Sequence, residues 1–412
     1  TYGYYFGQIR VSPVDADQVW IMGVPILRSD DGGANWKGLD DRVVHVDYQS
    51  LYVDPSSPSR ILVGNDGGLA TSWDGGLTWL ELNSVPVGQF YTIHVDMAEP
   101  YNIYGGLQDN GTWRGSSRSE PDDKDAWTFL NGGDGFYVQT DERDGRSTYA
   151  GYQFGYYTRI DADGSRHRVR PRNRLDEPAL RYNWMTPVQL SAHNQDIVYF
   201  GSNMLWRSMD RGETWVAISE DLTVSDERGD VPFGMITSLD ESRLVFGQIV
   251  VATDDGQVWL TRDGGVDWED ISDGIPRDRW ITRIIQSPHD RERLFLAANG
   301  YRDDDMTAYV YRSDDLGGSW ESISEGLPAE PVNVIREDPE RPELLYVGTD
   351  RGAYVSRSGG DSWTGLNAGL PNVPVHDLVI HPRDHELVAG THGRSVWVVD
   401  VEPVQLLDDG IE

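Results

Sequence analysis

Cysteine is missing altogether from these 412 residues. That excludes disulfides, thiolate metal sites and cysteine nucleophiles, and removes redox chemistry as a guide to compartment. Basic residues are scarce: 35 Lys and Arg stand against 68 Asp and Glu, for a net charge of −33. Such a surface repels phosphates, which argues against DNA or RNA as a partner. Anionic membrane surfaces are disfavoured for the same reason. The acidic surplus reads as a solvated coat that keeps the protein in solution. No run approaches the ~18 apolar residues that a bilayer span needs, so no transmembrane segment is expected, and the residues after Thr1 do not form a signal peptide. A phosphate-binding Gly loop with its Lys is missing, and so is a Gly-x-Ser-x-Gly elbow.

What the chain does have is punctuation and aromatics: 45 Gly, 15 Trp and 20 Tyr. That mix suits many short strands joined by turns. One octapeptide pattern, Ser-x-Asp-x-Gly-x-Thr-Trp, recurs. It stands as Ser29-Asp31-Gly33-Asn35-Trp36, Ser72-Asp74-Gly76-Thr78-Trp79, Ser208-Asp210-Gly212-Thr214-Trp215, Thr261-Asp263-Gly265-Asp267-Trp268 and Ser313-Asp315-Gly317-Ser319-Trp320. A further copy, Ser356-Ser358-Gly360-Ser362-Trp363, has lost its Asp. The residue types fit a tight turn. An Asp carboxylate and Ser or Thr hydroxyls can accept backbone N–H bonds, Gly supplies the special backbone angle, and the Trp buries a large area against the next unit.

Each box is preceded by a second recurrent element, a strand, a Pro or Asp turn and a strand ending in Gly. Examples are Asp54-Pro55 before Ile61-Leu62-Val63-Gly64 and Asp338-Pro339 before Leu344-Leu345-Tyr346-Val347-Gly348. Four short strands with three turns make one propeller blade. Trp spacing counts the blades: 43 residues separate Trp36 from Trp79, 48 separate Trp79 from Trp127, and 88 separate Trp127 from Trp215. The long gap hides a unit over 135–169, with Asp161-Ala162-Asp163-Gly164 in place of the box. A final half-unit runs over 375–401. The expectation is an all-β propeller of about nine repeats within 1–402, with 403–412 as a tail. The strand 2–6 is expected to close the ring, and 166–183 to be a long connection between blades.

These boxes resemble the Asp-box, or bacterial neuraminidase repeat. That family of propellers includes sialidases, xyloglucanase-type glycoside hydrolases, the sortilin luminal domain and a photosystem II assembly factor. Four phrases resemble bacterial sortilin-like proteins often labelled glycosyl hydrolases. They are Gly105-Gly106-Leu107-Gln108-Asp109-Asn110-Gly111-Thr112-Trp113, Gly132-Gly133-Asp134-Gly135-Phe136, Trp184-Met185-Thr186-Pro187 and Ile218-Ser219-Glu220-Asp221-Leu222-Thr223. The likeness runs from about residue 7 to 400. It implies a propeller. The Cys-rich module of true sortilins has no counterpart here.

For catalysis, the candidates are Asp109 and Asp134. The Gly-rich turn of Asp109 resembles the segment carrying a catalytic Asp in xyloglucanase-type enzymes. Glycoside hydrolysis needs two carboxyls across the scissile bond, and the flanking glycines would let sugar rings approach. The competing reading makes both residues turn braces. Sialidase chemistry needs three arginines. Arg10, Arg283 and Arg394 lie on or beside expected strands, but the Phe/Tyr-Arg-Ile-Pro start is absent. His376, His381, His385 and His392 crowd the last repeat without the spacing of a helical zinc site, and Asp122-Asp123 and Asp303-Asp304-Asp305 lack that of a calcium loop. No cofactor or metal is expected. Two aromatic patches, Tyr2, Tyr4, Tyr5, Phe6 and Tyr149, Tyr152, Phe154, Tyr156, Tyr157, read as packing between blades. The expected function is a non-catalytic binding or scaffold propeller for a protein partner, exported to the periplasm or outside the cell. The alternative is a hydrolase of a β-glucan-like polysaccharide acting through Asp109 and Asp134.

Overall fold

Short apolar runs bounded by Gly, Asp and Pro fold as strands, and consecutive strands pair as antiparallel meanders. In the computed structural model the described residues are 5–39, 44–82, 87–120, 123, 126–143, 147–173, 175–224, 233–366 and 369–407. Among them are nine antiparallel sheets, eight of four strands and one of three. The protein is a multi-blade β-propeller, and the chain divides into two compact units, 1–87 and 88–412. The first unit holds two sheets, whose first strands are Ile9–Val11 and Tyr48–Val53. Its core is built on Trp20, Met22, Ile26, Tyr48, Ile61 and Val63.

The second unit holds the other seven sheets. Their first strands are Phe90–Val95, Val138–Thr140, Val188–Leu190, Ile236–Glu241, Trp280–Gln286, Val332–Glu337 and Val375–His381. Each packs beside the next, and the seventh packs beside the first, so the seven sheets close a ring around an axis lined by first strands. Seven lies within the usual propeller range of ~4–8. Apolar clusters fill the wedges between neighbouring sheets. Val250, Ala252, Ile284, Leu294 and Leu296 form one, and Phe295, Val310, Ile335 and Leu345 another.

The strand expected over 2–6 falls mostly outside the described residues, since 2–4 are not among them, and Tyr5 and Phe6 form no strand. Within 88–412 the first and seventh sheets are joined directly. The Tyr101 hydroxyl donates to Glu386 at 2.7 Å, Arg118 pairs with Glu386 at 2.9 Å, and the Gly393 amide donates to the Gly88 carbonyl at 2.8 Å. The seventh sheet keeps three strands, Val375–His381, Glu386–Thr391 and Val396–Asp400.

Two further boundaries differ in detail. Arg166–Val169 is the fourth strand of its sheet, so the connection expected over 166–183 begins at 170. Only Val169 of that strand is buried, and its polar neighbours conceal it in the sequence. Glu402–Gln405 is a short helix. Gln405 is buried there and donates to Asp338 at 2.8 Å.

Six first strands share a register shift at the same place. It falls between Tyr48 and Ser50, Phe90 and Thr92, Ile236 and Ser238, Ile281 and Arg283, Val332 and Val334, and Val375 and Asp377. A bulge re-aims the residues after it. In the second unit this fixes where Arg283 and Asp377 point.

Candidate functional site

The recurrent boxes all fold alike. In each, the glycine amide donates to the Ser or Thr hydroxyl four residues earlier. Gly33 reaches Ser29 at 2.8 Å, Gly76 reaches Ser72 at 2.8 Å, Gly212 reaches Ser208 at 2.8 Å, Gly265 reaches Thr261 at 2.9 Å and Gly317 reaches Ser313 at 2.8 Å. The Asp carboxylate takes the amide four residues on. Asn35 donates to Asp31, Thr78 to Asp74, Thr214 to Asp210, Asp267 to Asp263 and Ser319 to Asp315, all within 2.8–3.1 Å. Bonds to the charged form favour it. The Asn35 side chain holds the Asp31 carboxyl down at about 2, and the Thr78 hydroxyl does the same for Asp74. In the copy without Asp, the Ser358 hydroxyl accepts the Ser362 amide at 3.1 Å, so a neutral acceptor preserves the turn.

The boxes also clasp sheet to sheet. The indole N–H of Trp268 donates to the Ile218 carbonyl at 2.8 Å, that of Trp320 to Ile271 at 2.8 Å, and that of Trp363 to Ile323 at 2.7 Å. Each acceptor lies three residues after the preceding box Trp. Trp79 and Trp215 pack against the apolar clusters of their own units. Trp36, in the first sheet, bonds its own turn at Gly33 and is 37 % exposed. A second clasp comes from an arginine just before the box Ser. Arg28 donates to the Gly75 carbonyl at 2.8 Å, Arg207 to Gly264 at 3.1 Å and Arg312 to Gly359 at 3.1 Å. Sequence reasoning missed both clasps, although their repeated offsets, Arg at one before the Ser and Leu or Ile at three after the Trp, were available. Trp320→Phe removes the N–H and trims the indole to a six-membered ring, so it is expected to lower unfolding free energy by at least ~1 kcal/mol in urea melts.

In a four-stranded meander, alternate turns lie at opposite ends of the sheet. The boxes, between third and fourth strands, occupy one end. Turns between second and third strands, and the connections to the next sheet, occupy the other. In the 88–412 ring, Asp109 and Asp134 lie at that other end. Asp109 sits at the hairpin tip with φ of +60°. Asp134 is 7 % exposed, and its Oδ1 accepts the Asp109 amide at 3.1 Å. The glycines around the pair are used by the backbone itself. A Cβ on Gly106 would overlap Gly135, and one on Gly135 would overlap Gly111 and Thr112. These glycines let two backbone segments touch.

Next to this pair a row of rings runs from the axis to the rim. His376 and His392 stack at 4.3 Å, Tyr91 lies 5.2 Å from His392, and Phe136 lies 4.8 Å from Tyr91. Trp184 lies 6.2 Å from Phe136, and Phe154 lies 4.9 Å from Trp184. Burial drops His376 to about 3 and lowers His392, so both imidazoles are neutral at pH 7. Burial, then the charge of Asp134, raises the Tyr91 hydroxyl. At the outer end Phe154, Tyr156 and Trp184 are 37, 45 and 42 % exposed. The second expected patch is therefore divided. Tyr149 and Tyr157 are packed inside, while Phe154 and Tyr156 face solvent. Of the first patch, Tyr2 and Tyr4 lie outside the described residues, and Tyr5 is 66 % exposed.

The remaining candidates fall apart into local roles. His381 stacks on Tyr101 at 4.3 Å and contacts the Asp96 carbonyl, and His385 contacts Gln405. Both lie at the box end, away from His376 and His392. Arg10 is on the first strand of the first unit and bonds Gln8, Arg283 is on a ring first strand and bonds Asp377, and Arg394 is in a turn. Asp122 lies outside the described residues. Asp305 takes Arg279, the Tyr309 hydroxyl and the Thr307 amide. Among the described residues no group of three or more His, Cys, Asp or Glu is placed to hold a metal ion, and no helix is long and apolar enough to cross a membrane.

No family model matches the chain, and no curated protein does. Solved structures similar to it include the GH74 enzyme of Niastella koreensis, at 11 % identity and TM-score 0.36, covering 96 % of this chain and 82 % of that one. The GH74 xyloglucanase of Xanthomonas campestris matches at 14 % identity and TM-score 0.33, covering 97 % and 71 %. YCF48 bound to a D1 peptide matches at 12 % identity and TM-score 0.38, covering 95 % of each chain. Likenesses this distant attach no activity to this chain.

Proposed function

We propose that this chain is a non-catalytic binding propeller of the Asp-box type, exported, and that it holds a protein partner within a larger complex. One observation carries the reading: the row of rings that ends in exposed Phe154 and Trp184, with exposed Tyr156 two residues on. Large aromatics exposed together at one end of a ring are typical anchors of a protein interface. The boxes at the opposite end are committed to turns and clasps, which leaves the aromatic end for recognition. A hydrolase of a β-glucan-like polysaccharide remains the second reading, because Asp109 and Asp134 do stand side by side at the same end. The binding reading assigns Asp134 to bracing the 107–111 hairpin, since its carboxylate is buried and holds the Asp109 amide.

The two readings separate in one experiment. The protein is purified from its native host in mild detergent, as wild type and as the double variant Phe154→Ala/Trp184→Ala. The wild type is expected to retain a stoichiometric protein partner and the variant to lose it, with at least about tenfold weaker binding when the partner is added back. Neither form is expected to release reducing sugar from xyloglucan. A lone wild-type monomer whose xyloglucan cleavage collapses in Asp109→Asn would replace the binding reading with the hydrolase.

A further inference from the structure

Each sheet of a propeller has two faces, one toward the sheet before it and one toward the sheet after it. Within the first unit one such contact is made. Trp20, Met22 and Ile26, on the later face of the first sheet, are buried in one cluster with Leu51, Val53 and Ile61, on the earlier face of the second. The first sheet presents its own earlier face through Ile9 and Val11, which point the same way along one strand. Ile9 pairs with Ile21 as Leu51 pairs with Val63, and Val11 pairs with Val19 as Val53 pairs with Ile61. Leu51 and Val53 are buried, whereas Ile9 and Val11 are 56 and 53 % exposed. The 88–412 ring follows the second sheet: at the Ile9 position it buries Ile93, Val188, Ile284 and Ile335.

The second sheet is open on its later face. Leu62 stands where Trp20 stands, paired with Tyr52 as Trp20 is with Arg10. Leu69 stands where Ile26 stands, its carbonyl accepting the Leu82 amide as that of Ile26 accepts the Leu39 amide. Trp20 and Ile26 are fully buried. Leu62 is only half-buried, Leu69 is 46 % exposed, and Tyr52 on the same face is exposed as well. The first unit therefore shows both halves of a contact that it has already made once. Apolar side chains bared together in this way mark an interaction surface. The two halves lie on different sheets, so they match head to tail, the later face of one copy against the earlier face of the next. With two sheets from each copy, about two to four copies supply the ~4–8 sheets at which a propeller closes.

We propose that the first unit binds a second copy of this chain, with the Tyr52, Leu62 and Leu69 face of one copy covering Ile9 and Val11 of the next. The contact uses no residue of the aromatic end of the 88–412 ring and does not depend on what that end binds.

Sedimentation velocity of the full chain across a concentration series reads this directly. The wild type is expected to associate. Association should tighten as sodium chloride is raised, because each copy carries a net charge of −33 and salt screens the repulsion while leaving apolar burial in place. Ile9→Asp/Val11→Asp changes only exposed side chains and should associate at least about tenfold more weakly. Tyr52→Asp/Leu69→Asp should do the same from the other face. Each variant keeps one intact half, so the two mixed in equal amounts are expected to form a pair of one copy each that grows no further, which misfolded variants would not do. A monomeric wild type, which would leave these faces to a different protein, overturns the proposal. Association that survives Ile9→Asp/Val11→Asp, or variants that fail to pair when mixed, overturns it too.

Discussion

Asp254→Asn is expected to reduce the decline in stability between about pH 4 and pH 7 by a large amount. Asp254 follows the strand Ile249–Thr253 and is 2 % exposed. Its Oδ1 accepts the Gly234 and Met235 amides at 3.0 and 2.8 Å, and its Oδ2 is buried without a partner. Burial, with the neighbouring Asp255 carboxylate adding to it, outweighs the Met235 N–H and lifts the carboxyl from 3.8 to about 7. Asp255 is raised in the same direction, again by burial first.

A carboxyl raised in the folded state keeps its proton there while the unfolded chain has lost it. Stability is therefore full below the unfolded value, falls as pH climbs through the window up to about 7, and flattens above. At ~1.4 kcal/mol per pKa unit the loss is about 4 kcal/mol at most. Asparagine keeps the oxygen that caps Gly234 and Met235 and has no charge to bury. The variant should be the more stable protein at pH 8 and should match the wild type near pH 4, with a residual slope from the other carboxyls that burial raises, among them Asp255, Asp240 and Glu337. Urea or thermal melts from pH 4 to 8.5 read this directly, and parallel curves for the two proteins would show the assignment to be mistaken. The box carboxylates Asp31 and Asp74, held at about 2, act with the opposite sign. Their contribution is present above the unfolded value and disappears as pH falls toward 2.

The second large effect is at Gly265. Its φ is +95°, and an added Cβ would lie 2.5 Å from the Ile218 carbonyl oxygen and 2.8 Å from the Ile218 Cβ. That carbonyl already receives the Trp268 indole, so neither side of the clasp has slack. Gly265→Ala adds a backbone term of ~1–2 kcal/mol for the left-handed angle to an overpacking term of ~1–3 kcal/mol. A loss of about 2–5 kcal/mol in unfolding free energy is expected. Gly164 is the control. It has φ of +83° and open space around its missing Cβ, so Gly164→Ala should lose only the backbone term. Equal losses at the two sites would mean that the contact with the preceding sheet contributes nothing.

What was legible in the sequence was local. Each box bond joins residues two to four apart, such as Ser29 to Asp31 and Thr78 to Asp74, so the pattern of residue types carries the turn and its spacing carries the count of sheets. Even the unit without a box was found at 135–169, because Asp161–Gly164 keeps turn chemistry where the box should be. The fourth strand Arg166–Val169 is not legible, because one buried residue in four leaves no alternation to read. The candidate site was half legible. Gly-rich phrases point to Asp109 and Asp134, but glycine in a sequence looks the same whether it makes room for a ligand or for backbone, and the structure uses these glycines for contact between Gly106, Gly135 and Gly111. The axial arginines were out of reach, since Arg283 and Arg336 meet Asp377 from 94 and 41 residues away. Nothing in a strand of alternating residues reveals which charges a ring will bring face to face. Asp254 was invisible for a related reason: it reads as one more polar turn, and only the packed chain shows that water is excluded from it.

The seam of the 88–412 ring has a topological consequence. Every other neighbouring pair of its sheets is tethered by continuous polypeptide, whereas the first and seventh meet through non-covalent contacts, among them those of Tyr101, Arg118 and Glu386 and the amides that reach Gly88. The circle is thus a linear ribbon whose two ends happen to touch. A permuted chain, spliced across this junction and opened at any box, would trace the same circle from a different starting point.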